Sequence, residues 1–162
     1  MSGDGPRVTQ VRRADACHQV LTIESVGRRP AFRRTPCEAR DGMPACPWRV
    51  DAEPGEYPAQ AYRLSARTAY SQSMHRFGCH QSEPGAPVTC AGFLLRGAVD
   101  NIAVRLMQRA GADLSRVRSD VALHASYRAM AVANGVDPDD PALGPCRDDW
   151  YEWLPLSARD EA

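Results

Sequence analysis

Thr35-Pro36-Cys37-Glu38-Ala39-Arg40-Asp41-Gly42-Met43-Pro44-Ala45-Cys46-Pro47-Trp48-Arg49-Val50 is too broken by proline and glycine to be a helix. It also lacks the alternation of a half-buried strand. Its two cysteines stand in polar loop, not on an apolar stripe where an inert buried thiol would sit. The chain repeats the arrangement downstream, where Cys79, His80 and Cys90 share a loop with Pro84, Gly85 and Pro87. Eight residues separate the first pair and ten the second, with a helical pattern between them. Glycine and proline let such loops wrap tightly, because φ is either free or preset.

Thiolate and imidazole suit Zn²⁺ in a tetrahedral shell of four Cys, or of three Cys and one His. They equally suit an iron–sulfur cluster such as [4Fe–4S]. The expected ligands are Cys37, Cys46, Cys79 or the adjacent His80, and Cys90. Neighbouring residues diverge in extended chain, so one of Cys79 and His80 enters the shell and the other supports it; Cys79 is preferred. The spacing contains no Cys-x₂-Cys, so it does not select the metal.

Composition supports a stapled domain. Hydrophobic residues make up 43% of the 162 and aromatics 7%, while thirteen Pro and twelve Gly imply much loop. A core this lean gains from metal binding, which in structural zinc sites is worth about 10–16 kcal/mol. Net charge is zero, so no global field draws the chain to nucleic acid or an anionic membrane. All twenty basic residues are Arg, a bias expected of a high-GC genome. The N-terminal Met-Ser-Gly-Asp-Gly-Pro-Arg has no apolar signal-peptide segment, and no run approaches the ~20 apolar residues of a membrane helix. A cytoplasmic chain with reduced cysteines is the expectation.

Outward from the cysteines, the pattern predicts an α-rich α+β domain with long loops and at most a small sheet. Residues 1–36 are an Arg-rich lead, 37–147 the metal-binding domain and 148–162 a tail. Cys17–Ile23 alternates like a strand and can pair with Val8–Val11 as a hairpin. A helix is expected after Tyr57-Pro58, with Ala61, Leu64 and Thr68 inward. A second is expected over Gly97–Ala110, where Val99, Ile102, Ala103, Leu106, Met107 and Ala110 share a face. A third is expected over Asp120–Ala133, stopped by Asn134-Gly135. Residues 70–92 read as loop.

The remaining candidates are weaker. Cys17 and His18 are neighbours that would face opposite sides of a strand, so Cys17 reads as a structural thiol. Cys146 is a loop thiol left over as a fifth ligand or a resolving thiol, His75 a loop residue and His124 a helix-surface residue. Arg28, Arg29, Arg33, Arg34, Trp48 and Arg49 are candidates for contacting nucleic acid or a partner protein, with Phe32 as a stacking group. Trp150, Tyr151 and Trp153 could serve a protein partner. No triad, phosphate-binding loop or His-Glu-x-x-His motif is present.

Thr35-Pro36-Cys37, Cys46-Pro47-Trp48-Arg49-Val50-Asp51, Pro54-Gly55-Glu56-Tyr57-Pro58, Phe77-Gly78-Cys79-His80-Gln81-Ser82, Cys90-Ala91-Gly92-Phe93 and Ala133-Asn134-Gly135-Val136 together resemble an uncharacterised actinobacterial and actinophage family. The likeness covers roughly residues 33–147. In that family the first two cysteines usually form a Cys-x-x-Cys-Pro-Trp-Arg knuckle, and here eight residues lie between them. The resemblance implies a shared cysteine site and no particular activity. Two functions follow as expectations. One is a zinc-stabilised binding module. The other is an iron–sulfur or zinc enzyme with His80 as acid/base and Arg49 holding an anionic substrate.

Overall fold

A computed structural model describes residues 7–13, 19–24, 31–83 and 86–148. Among these, two strands open the fold: β1 (Arg7–Arg13) and β2 (Gln19–Glu24) pair antiparallel, with Val8 opposite Ile23 and Val11 opposite Leu21. The register slips between Val8 and Gln10, as at a bulge. A third strand, β3 (His75–Phe77), pairs antiparallel with β2, so the sheet runs β1-β2-β3. The helices are α1 (Ala59–Ser65), continued by a 3₁₀ turn at Ala66–Ala69, then α2 (Ala91–Arg96), α3 (Ile102–Arg109) and α4 (Tyr127–Ala133). The domain is α+β and helix-rich, with the small sheet expected.

Several boundaries differ from the sequence pattern, each for a local reason. The expected helix over Gly97–Ala110 starts only at Ile102. Asn101 Oδ1 accepts from Val104 N at 2.9 Å and caps α3 there. Asp100 is buried, and its Oδ2 accepts from the Ser71 hydroxyl at 2.6 Å and Gln72 N at 3.1 Å. Both side chains bond the backbone and loop in ways that compete with a continuous helix. Leu106 is 44% exposed and Ala110 is exposed, so the buried stripe is narrower: Ala103, Val104 and Met107.

The helix expected from Asp120 begins at Tyr127. Ser126 Oγ accepts from Ala129 N and caps it, while residues 120–125 run extended along Trp48 to Val50. Val50 N donates to Ala122 O at 3.0 Å and His124 N to Trp48 O at 2.9 Å. His124 is therefore part of a bridged segment and not on a helix surface. Within residues 70–92, read as loop, His75 lies in β3, and Ala91 and Gly92 open α2, which runs on to Arg96.

The core is built on Trp48, which is fully buried. Its ring meets Phe77 and Tyr127 edge-on at 6.0 and 5.9 Å, and Phe77 stacks on Phe93 at 6.3 Å. Met130, Leu143 and Val136 close the far side. Arg76 is also fully buried, donating to Thr89 Oγ1 at 3.2 Å and lying against Met107 Sδ at 2.6 Å.

Candidate metal centre

The loop over residues 35–50 is more ordered than its composition suggests. Arg40 N donates to Met43 O and Met43 N to Arg40 O, closing a two-residue hairpin turn. Its central residues, Asp41 (φ 51°) and Gly42 (φ 75°), both take the left-handed conformation that such turns require. The chain folds back on itself, and Cys46 N donates to Cys37 O at 2.9 Å. Eight intervening residues thus bring the two cysteines side by side.

The second pair is placed in the same way. Cys79 N donates to Val88 O at 2.7 Å and Cys90 N to Phe77 O at 2.9 Å, around a bridge between Gly78 and Thr89. Thr89 N also donates to Ala31 O, and Arg33 N to Thr89 O, which lays residues 31–33 alongside. Three backbone segments therefore deliver the thiols.

The sulfurs meet crosswise. Cys37 Sγ is 3.4 Å from Cys79 Sγ, and Cys46 Sγ is 3.5 Å from Cys90 Sγ. All four are free thiols, far beyond the ~2.05 Å of a disulfide bond. Cys46, Cys79 and Cys90 are buried and Cys37 is half-buried. Among the described residues, no three His, Cys, Asp or Glu side chains are gathered tightly enough to grip an ion as they stand; the thiols approach as two pairs.

Each pair is electrostatically asymmetric. Cys79 is held low, to about 5, first by its hydrogen bond with Cys37 and then by Arg33 and the Gln81 backbone, against burial. Cys37 is correspondingly raised. Cys46 is lowered by Cys90 and by the Trp48 backbone amide, while Cys90 is raised by Cys46 and by burial. The pairs also feel each other: charge on Cys79 raises both Cys46 and Cys90. Backbone groups at Trp48, Gln81 and Phe93 act to lower Cys46, Cys79 and Cys90 in turn. Arg33 Nε adds a bond to Cys79 Sγ at 3.4 Å.

The other sequence candidates fall differently. His80 is engaged by other partners: its Nε2 hydrogen-bonds Pro44 O at 2.6 Å, and its ring packs edge-on against Tyr57 at 5.5 Å. Burial lowers its pKa. Trp48 has no exposed surface, so it is a core residue and not a partner contact. Arg49 donates two parallel hydrogen bonds to the Asp51 carboxylate, at 2.7 and 2.8 Å. Cys146 is buried away from the four, with its thiol 3.7 Å from Ala66 O. Cys17, His18, Arg28, Arg29, Trp150, Tyr151 and Trp153 lie outside the described residues.

Two features escaped the sequence reading. The Asp41-Gly42 dipeptide is a hairpin signal and could have predicted the fold-back. Arg33 as a thiol donor left no signal, since only the pairing of residues 31–33 with Thr89 puts it there.

The fold and the crossed thiol pairs define a small cysteine-centred α+β domain. The chain belongs to DUF6283, a family of unknown function whose model matches residues 32–147. No curated protein and no solved structure showed a match. Among the described residues, no helix is long and apolar enough to cross a membrane.

Proposed function

We propose that the chain is a zinc-binding interaction module, with Cys37, Cys46, Cys79 and Cys90 as ligands and the metal in a structural role. The observation that carries this reading is the convergence of four free thiols in two close pairs, Cys37 with Cys79 and Cys46 with Cys90. Metal ligands must be deprotonated, and Cys79, which accepts from Arg33 Nε at 3.4 Å, is held low. Distances agree: a tetrahedral ZnS₄ centre with Zn–S of about 2.3 Å spaces its sulfurs about 3.8 Å apart. The two sulfur pairs, at 3.4 and 3.5 Å, would supply two opposite edges of that tetrahedron once an ion drew them together. Arg33 and Arg49 offset part of the negative charge of four thiolates.

A reducing cytoplasm suits such a site, and the Arg-only basic complement suits an actinobacterial source. The test is metal content and thiol count on protein purified without oxygen. One zinc per chain in a colourless sample, with four thiols protected from alkylation until chelation, is the expected result. A brown sample with iron and sulfide would replace zinc by a cluster. Two disulfides and no metal would remove the metal reading altogether.

A further inference from the structure

A cleft of about 660 Å³ opens beside the Cys37–Cys79 pair. Arg33, Arg34, Arg40 and Arg49 line it, together with Phe32 and Gln81. Glu38 and Asp120 are the acidic residues on its walls, so the lining carries an excess of positive charge in a chain of zero net charge. Hydrogen bonds tie together the segments that form its walls. Arg118 N donates to Arg34 O at 2.9 Å, Val50 N to Ala122 O at 3.0 Å, and the Gln81 side-chain amide to Glu38 O at 2.7 Å.

We infer that this cleft binds a small phosphorylated ligand of mononucleotide size, with its phosphates on the guanidinium groups and its ring against Phe32. Four observations support the assignment. The volume lies within the ~300–1,000 Å³ usual for small-molecule sites. The cleft is preformed, so binding does not have to order it. Guanidinium is the side chain best matched to phosphate, because its planar fork donates two bonds at once. Among the described residues, Arg34 and Arg40 are exposed and engaged in no ion pair, and so are available, whereas Arg49 is partly neutralised by Asp51. A nucleic-acid strand is the lesser fit. It would need a basic track extending beyond the cleft, and the balanced overall charge gives no sign of one.

The inference extends the zinc reading, because the loop over residues 33–40 supplies both guanidinium groups and the Cys37 thiol. It can nonetheless fail separately. The experiment is calorimetric titration of the full chain with ADP, inorganic pyrophosphate and an oligothymidylate, at low and at physiological salt. Zinc content is measured on every sample. ADP should bind, and the double variant Arg34→Gln/Arg40→Gln should weaken it ~10-fold or more while keeping its metal. Phe32→Leu should weaken ADP and leave pyrophosphate unchanged. Silence toward both ADP and pyrophosphate would overturn the proposal, as would ADP binding unaffected by the double variant. Pyrophosphate binding as tightly as ADP would overturn the nucleotide assignment. Oligothymidylate binding far tighter than ADP, with a steep loss in salt, would replace it with a strand. Zinc retained without ADP binding sinks this inference alone; ADP binding by a metal-free chain sinks the zinc reading alone.

Discussion

Gly92 lies so close against Trp48 that a Cβ added to the glycine would stand 2.4 Å from the tryptophan's own Cβ. Gly97, at the other end of α2, meets the far edge of the same ring, where a Cβ would come within 2.6 Å. The indole is thus seated lengthwise on a helix face cleared of side chains at both ends. Cys46 precedes Trp48 by two residues, and Cys90 precedes Gly92 by two. Docking Trp48 on Gly92 therefore also sets Cys46 opposite Cys90.

From that seating, Gly92→Ala is expected to destabilise the domain by about 1–3 kcal/mol, because backbone and an aromatic ring cannot both give way. Urea denaturation measures it. The variant should also bind metal more weakly, since Cys46 and Cys90 lose their register. A fully stable Gly92→Ala with unchanged metal affinity would contradict the link between the ring and the thiols.

Cys46→Ser and Cys90→Ser should each abolish stoichiometric zinc and lower Tm by roughly 10 °C or more, as a structural metal contributes directly to folding. Cys146→Ser should keep its zinc, since that thiol lies apart against Ala66 O. Metal analysis beside differential scanning calorimetry separates the three variants.

Cys79→Ser and His80→Ala are expected to diverge. The first removes a sulfur 3.4 Å from Cys37 and should lose tight metal binding. The second removes the bond to Pro44 O and the ring contact with Tyr57, which steady the approach to Cys46, and should cost ~10-fold in affinity at most. Chelator competition reads both. His80→Ala losing metal as completely as Cys79→Ser would place the imidazole on the ion.

How much of this was legible beforehand follows the physics of each element. The four cysteines stood out because polar, glycine- and proline-rich chain gives a thiol no packing role. The hairpin showed in its alternation, and α1 in Pro58. Helix starts were misplaced wherever a side chain formed a tertiary bond that the local pattern does not encode. Asp100 reaching Ser71 and Gln72 is one instance, and the 120–125 segment pairing with Trp48–Val50 is another. Trp48 looked like a surface contact because its neighbours Arg49 and Val50 are polar or exposed. Only Gly92 in α2 and Gly97 just after it, forty-odd residues on, show where the ring goes.

Tyr127 is fully buried, and its hydroxyl donates to Tyr62 O at 2.5 Å while sharing a 2.7 Å bond with Ser65 Oγ. Tyr127→Phe keeps the ring contacts with Trp48 and Phe77 but leaves the α1 carbonyl of Tyr62 without this donor. A loss of about 1–3 kcal/mol is expected by urea denaturation. A neutral effect would mean that water replaces the hydroxyl.

Burial raises the Cys146 thiol to about 12. Its folded pKa lies above the ordinary thiol value of about 8.5, so its contribution to stability is complete below that pH and is lost as pH climbs toward 12. Alkylation at pH 8–9 should therefore leave Cys146 unmodified in the folded chain and label it once denaturant is added. Peptide mapping by mass spectrometry gives the answer, and rapid labelling under native conditions would contradict the buried, neutral thiol.

The family match begins at residue 32, whereas β1 and β2 lie before it. Of the sheet, only the three residues of β3 fall inside the matched region, and β2 covers their edge through Thr22, Ile23 and Glu24. The leading hairpin is thus a lid for unpaired backbone that ends one glycine short of Cys79. Cut away at residue 30, it would leave the amide and carbonyl groups of β3 bare, a template on which another chain could lay a strand. β2 thus shields that edge as well as extending the sheet.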